Sequence, residues 1–421
     1  MEIKKLFKVK LKTSKLKCYI YLEKINCMQN KNRILTIDVM RGLTLFLMLF
    51  VNDLYAPGVP EWLTHRAADF DGMGLADWVF PGFLFMVGLA VPYAIQSRLK
   101  KGDSTFKLVT HILIRTVSLL IIGVLMLNVS RVNPELTGMH KYLWAILVYI
   151  SIFLIWNQYG NLKRNYVFIL KGLGFIGLLI LIAIFKAGTP EEISWLHTSW
   201  WGILGLIGWG YLVTSLTYLV IKDSLIGTGI VWLFFILLNV LSQLGMLSFP
   251  GFINSAFGVI LSGSTPSIVM AGLFFSLILR KYSAENLLKF VTIAVILGGL
   301  ALASGFVLRN WFIISKIQGT PSWTMICNGI SILVFVILYT VIDIFGRKKW
   351  AAVFKPAGQN SLTTYLAPNI LYYIIWMFGF TILFYKQSEH SIVVILGSIV
   401  WALLMVGFAA LLSKIGIRLK L

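Results

Sequence analysis

The chain has 421 residues, of which 58% are hydrophobic and only 13% charged. A soluble domain carries about a quarter charged residues, so a water-soluble globular protein is excluded. The formal charge of +21 suggests nucleic acid at first sight, but membrane topology explains the cations and no nucleic-acid partner is expected.

Residues 1–32 are basic without an apolar core of their own, so they read as a cytoplasmic tail rather than a secretory signal. Met28 offers an alternative start that would make the preceding residues dispensable. From Arg33 onward, apolar runs long enough to cross a bilayer recur to the C-terminus. They do not alternate polar with apolar residues, and a backbone in lipid must satisfy its own hydrogen bonds, so helices are predicted. Twelve spans are expected, at 35–53, 77–97, 107–128, 139–157, 165–186, 199–221, 226–247, 263–280, 287–308, 322–345, 360–385 and 391–413. The fold class is all-α, a polytopic membrane protein.

The first span contains "TIDVMRGLTLF", which sets Asp38 and Arg41 three residues apart on one helix face. They read either as an ion pair that seats Arg41 in the headgroup zone or, with Arg115 of the third span, as a receptor for an anionic cofactor. Asn52 ends the helix, as a cap or a water ligand, and Asp53 follows. Between the first two spans lies "NDLYAPGVPEWLTHRAADFDGMGLADWVFP", with five of the sixteen acids of the chain: Asp53, Glu61, Asp69, Asp71 and Asp77. His65 sits among them, whereas the other four histidines fall at span ends. An imidazole near neutrality is suited to take a proton from an amine or hydroxyl. The cluster lacks metal-ligand spacing, as do Cys18, Cys27 and Cys327, and no metal is expected.

Farther along, "GSTPSIVMAG" at 263–272 reads as a closely packed helix or a half-helix facing a ligand. The hydroxyls and amides of "GQNSLTTYL", Asn360 and Ser361 among them, either cap the eleventh span or meet a cofactor. With alternate loops on one side, 27 Lys and Arg gather with the two termini. Seven face the opposite side: Arg66, Arg131, Lys141, Lys186, Arg309, Lys316 and Lys386. Both termini are therefore expected in the cytoplasm and the acid-rich loop outside. No internal repeat is evident, which weighs against a repeat-built transporter.

Taken in order, "RILTIDVMRGLTLFLMLFVND", "GLADWVFPGFLFMVG", "GSTPSIVMAG", "PSWTMICNGIS" and "GQNSLTTYL" resemble the heparan-α-glucosaminide N-acetyltransferase family and its bacterial relatives, a branch of the transmembrane acyltransferases. The most specific blocks are D-x-x-R-G at Asp38–Gly42 and A-D-x-V-F-P at Ala76–Pro81. The resemblance implies an integral membrane acyltransferase domain over 33–421, in a bacterial cytoplasmic membrane. It would move an acetyl group from cytoplasmic acetyl-CoA to the amine of glucosamine or a related amino sugar on the far side. Asn52 matches the Asn that ends the first conserved helix of the family, His65 is the only candidate for its catalytic loop His, and Asp77 matches its Asp. His65 would act as general base, or as an acetyl-carrying nucleophile, and Asn52 would hold the thioester carbonyl. Asp53, Asp69 and Asp71 would bind the cationic sugar, with Arg41, Arg115, Asn360 and Ser361 receiving the cofactor and Asp38 and Asp77 in support.

Three departures stand out. The family His lies about two residues closer to the Asp, at the position of Ala67, so either a local insertion displaces His65 or Asp69 or Asp71 has taken over its work. Gly205 and Leu206 replace a Gln-Arg pair, and spans 139–186 look like an inserted helix pair. The expected partners are acetyl-CoA, the amino sugar and the bilayer, with a homodimer left open. The competing readings are a sugar or amino-sugar transporter and an O-acyltransferase of envelope glycans.

Overall fold

An apolar run in lipid has no water to satisfy its peptide groups, and coiling is the local solution. In the structure, a computed structural model describing residues 34–160, 162–283, 286–388 and 390–421, each of the twelve expected stretches falls on a helix. The basic tail and Met28 lie outside the described residues. The helices are α1 (Leu35–Asp53), α2 (Leu75–Leu99), α3 (Thr105–Asn128), α4 (Lys141–Trp156), α5 (Arg164–Ile184), α6 (Gly202–Ile221) and α7 (Leu225–Gln243). They continue as α8 (Gly251–Leu261), α9 (Ser264–Tyr282), α10 (Leu287–Leu308), α11 (Pro321–Tyr339), α12 (Ser361–Phe378) and α13 (Ser391–Lys414).

Ten helical segments among the described residues are long and apolar enough to cross a membrane, or eleven if one bent pair counts as a span, against the twelve expected. The shortfall has two causes. Helix α4 has only 16 residues, short of the roughly 20 a bilayer core needs. The stretch expected as one span at 360–385 stops at Phe378, where Gly379 enters the left-handed region with φ +66. The chain then turns by 98° into the 3-10 segment Thr381–Gln387. That turn carries Tyr385 and Lys386 back toward the end of α1.

Helices α2, α9 and α11 form the buried centre, while α5, α7 and α10 turn most of their aliphatic surface outward, as a lipid-facing layer requires. "GSTPSIVMAG" packs tightly against α2. A side-chain carbon on Gly88 would stand 1.8 Å from the Val269 carbonyl, and one on Gly272 would stand 2.0 Å from that of Phe85. Small residues let two backbones meet, the usual means of binding helices in lipid. Helices α4 and α5 pack chiefly on each other, with the Trp144 indole donating to the Leu181 carbonyl at 3.0 Å.

The first turn of α1 is capped from a distance. Asp343 accepts the backbone N–H of Leu35 at 3.1 Å and of Thr36 at 3.0 Å, satisfying donors that a helix start leaves open. At the same end, the short helix Lys355–Gln359 lies so close to α1 that a carbon on Gly358 would meet the Asp38 carbonyl.

Gly272→Val should therefore lower stability by about 1–3 kcal/mol through overpacking, read as a fall in thermal midpoint in detergent. Gly407→Ala, where nothing lies within 4 Å, should leave the midpoint unchanged.

Candidate functional site

Asp77 is the third residue of α2 and is 1% exposed. A buried carboxylate requires donors, and the chain before the helix supplies them. Its Oδ2 accepts the backbone N–H of Gly74 at 3.0 Å and of Arg66 at 3.1 Å. Its Oδ1 lies 2.8 Å from His65 Nδ1. An ionised carboxylate only accepts, so Nδ1 carries a hydrogen, and Nε2 is the nitrogen that holds the lone pair when the ring is neutral. The imidazole is half exposed, at 47%. Loop curvature brings the pair together across twelve positions, so the wider spacing from the family pattern does not separate them.

The loop between α10 and α11 completes this site. Lys316 Nζ lies 3.1 Å from His65 Nδ1, 3.4 Å from the Ala76 carbonyl and 3.8 Å from Asp77 Oδ1. Burial pushes the Lys316 ammonium below the ordinary lysine range, while Asp77 pulls it back up. The Trp323 indole donates to the Asp77 carbonyl at 3.3 Å. Ser315 Oγ and Gln318 Nε2 each donate to the Ala68 carbonyl at 2.8 Å. Asp71 accepts the Ile314 N–H at 2.8 Å and pairs with Arg309 at 2.9 Å. The Ile314 hydrogen bond first, and Arg309 after it, hold the Asp71 carboxyl below its usual range.

Asp53, fully buried, accepts from the hydroxyl of Tyr372, from Tyr385 Oη at 2.6 Å and from Lys386 Nζ at 2.9 Å. Its neighbour Asn52 is exposed to a cavity of about 220 Å³ walled by Asn369, Tyr365, Tyr372, Trp376 and Lys386. That volume is below the ~300–1,000 Å³ of drug-sized pockets, room for a sugar ring or the tip of a longer molecule. His65 is not among the lining residues.

These contacts give most of the loop acids partners within the protein. Four of the five loop acids are paired with cations: Glu61 with Arg66, Asp71 with Arg309, Asp77 with Lys316 and Asp53 with Lys386. The oxygens of Asp53 and Asp71 are engaged by the protein itself. Asp69 is exposed and forms no hydrogen bond or ion pair among the described residues. Lys316, Asn369, Tyr372, Tyr385 and Lys386 were not singled out in the sequence. The signal for two of them was present, since both lysines belong to the sparse cations of one side.

At the opposite end, Arg41 Nη1 donates to the Gly358 carbonyl at 3.3 Å and Ser361 Oγ to the same oxygen at 2.9 Å. Asn360 Nδ2 donates to the Pro356 carbonyl at 3.3 Å. Three of the cofactor candidates thus gather around one short helix, with Asp38 buried alongside. Arg115 is elsewhere, its guanidinium 4.6 Å over the ring of Tyr211 on α6. Gly205 lies where α6 has no room for a long side chain, since a carbon there would be 2.5 Å from Cβ of Trp201. Among the described residues no group of three or more His, Cys, Asp or Glu gathers to hold a metal.

A family model described as "Domain of unknown function (DUF5009)" matches residues 31–250, just over half of the chain. The chain belongs to the DUF5009 family. This DUF5009 member is also 38% identical over 97 residues to the heparan-alpha-glucosaminide N-acetyltransferase of Mus musculus. It is 36% identical over 96 residues to the protein of the same name from Homo sapiens. Each match covers 23% of this chain and 14% of the relative. The resemblance to that acetyltransferase family is thus found again by direct comparison.

A carboxyl with a lowered pKa contributes its hold above the ordinary carboxylate range and loses it as pH falls through the lowered value. Asp71→Asn should therefore speed hydrogen exchange at the Ile314 amide at pH 7. Relative to the intrinsic exchange rate, the wild type should lose its protection at Ile314 only on acidification; equal protection at pH 7 would show that the anchor contributes nothing.

Proposed function

We propose that the protein is a membrane N-acetyltransferase that moves an acetyl group from cytoplasmic acetyl-CoA to the amine of an amino sugar on the other side of a bacterial cytoplasmic membrane. The observation that carries this reading is the His65–Asp77 pair at 2.8 Å, in a chain similar over a quarter of its length to two named acetyltransferases. Acetyl-CoA supplies an activated thioester.

Asp77 orients the ring so that Nε2 faces away from it and takes the proton the amine must lose to become a nucleophile. Asn52, at the mouth of the cavity beside Trp376 and Asn369, offers an amide N–H to a carbonyl oxygen on which charge develops. The stacked rings of Tyr372 and Trp376 and the amide of Asn369 line the cavity that a sugar would enter, while Asp69 remains the acid free to meet its ammonium. Arg41, with Asn360 and Ser361 around Gly358, fits the anionic end of the donor by its chemistry. The excess of Lys and Arg with the termini supports placing that end in the cytoplasm.

Purified protein should release thiol from acetyl-CoA only when glucosamine or a related amine is present. His65→Ala should lower kcat/KM by about 10²–10⁴, and Asn52→Ala by about 10²–10³. Folded protein with no amine-dependent release across a panel of amino sugars would sink the reading and turn attention to sugar transport.

A further inference from the structure

A buried carboxylate beside an imidazole favours the imidazolium, because pairing offsets the cost of an isolated buried charge. Left to itself, Asp77 would hold a proton on His65 and fill the Nε2 lone pair. Lys316 stands against this. The turn that presents it is tightly built: Gly319 N–H donates to the Lys316 carbonyl at 3.1 Å, and Thr320 Oγ accepts the Ser315 N–H at 3.1 Å. Since Asp77 Oδ2 is filled by the Arg66 and Gly74 amides, Oδ1 takes the Nδ1 hydrogen. Nδ1 then has no lone pair for Lys316, and the 3.1 Å approach of Nζ is a contact of charge with ring.

We propose that Lys316 is a positioning residue that acts through His65: its ammonium, held 3.1 Å from Nδ1, keeps the imidazole neutral near physiological pH so that Nε2 is free to accept a proton. This rests on the acetyl-transfer reading only for the use made of the base. A cation so near disfavours a second positive charge on the ring. It also helps each proton taken up at Nε2 to pass on to water, restoring the neutral ring for the next turnover.

The other charged groups around the ring do not supply this effect. Glu61 and Arg66, on the loop that carries His65, are paired with each other, as are Asp71 and Arg309 on its flank. Asp69 is exposed, and Cys327 of α11 is a fully buried thiol. Lys316 is thus the cation whose charge acts on the His65–Asp77 pair.

The test reads His65 directly. Diethyl pyrocarbonate modifies the unprotonated imidazole, and peptide mass spectrometry follows its extent at His65 against pH in the full chain. Lys316→Met and Lys316→Gln should move the midpoint upward by about one pH unit or more, with the acid limb of kcat/KM moving alike. Lys316→Arg, which keeps the charge, should restore the wild-type midpoint. Should the neutral variants fail to fold, wild-type protein with its lysines acetylated can be compared with protein whose lysines are dimethylated, and only acetylation should raise the midpoint. A midpoint indifferent to the charge at Lys316 overturns the proposal and leaves Lys316 a loop tie. A shifted midpoint without amine-dependent thiol release would instead sustain the role of Lys316 and defeat the acetyl-transfer reading.

Discussion

A carboxylate taken out of water must find a donor for each oxygen, and Asp77 organises one end of this protein by that requirement. Its four partners come from three places: the turn before α2, the loop carrying His65, and the segment between α10 and α11. None of these pieces is helical over its contact, so none is held by the repeating hydrogen bonds of the spans. The carboxylate supplies what the helices cannot, a fixed point to which irregular chain is tied. Placing Asp77 in the first turn of α2 adds a favourable interaction with the helix dipole.

The same solution recurs around it. Asp71 ties the loop to Ile314 and Arg309, and Asp53 binds α12 through Tyr372 and the broken segment after it through Tyr385 and Lys386. Three of the five acids between the first two helices, Asp53, Asp71 and Asp77, fasten other segments at the same end to that stretch. The helices are joined differently, through glycine contacts such as Gly88 with the Val269 backbone and Gly272 with that of Phe85. Packing of small residues binds the spans, and charge pairing binds what lies between them.

The helical architecture was legible because its cause is local. Any uninterrupted apolar stretch in lipid must coil, and every expected stretch did. The interruption at Gly379 was not legible, since Phe380, Ile382 and Phe384 continue the apolar composition through the turn. At the site, Asp77 and His65 were legible through family motifs, although the roles assigned to them remain those of the proposal. Lys316 lies more than two hundred residues from His65, and periodicity carries no information over that separation. The partners of Asp53, Asp71 and Asp77 were hidden for a related reason: a cluster of like charges in sequence says nothing about the cations that reach it from elsewhere.

Composition and run length by themselves determined that the chain is a helical membrane protein, because hydrophobic burial and backbone satisfaction depend on neighbours within a few turns. The motifs around Asp38 and Asp77 determined its kinship. Tertiary structure alone decided that four of the five loop acids meet cations, that α12 ends in a sharp turn, and that Lys316 stands beside His65. Those outcomes depend on which distant donors reach a buried oxygen, a matter of geometry between helices that no short stretch of sequence contains.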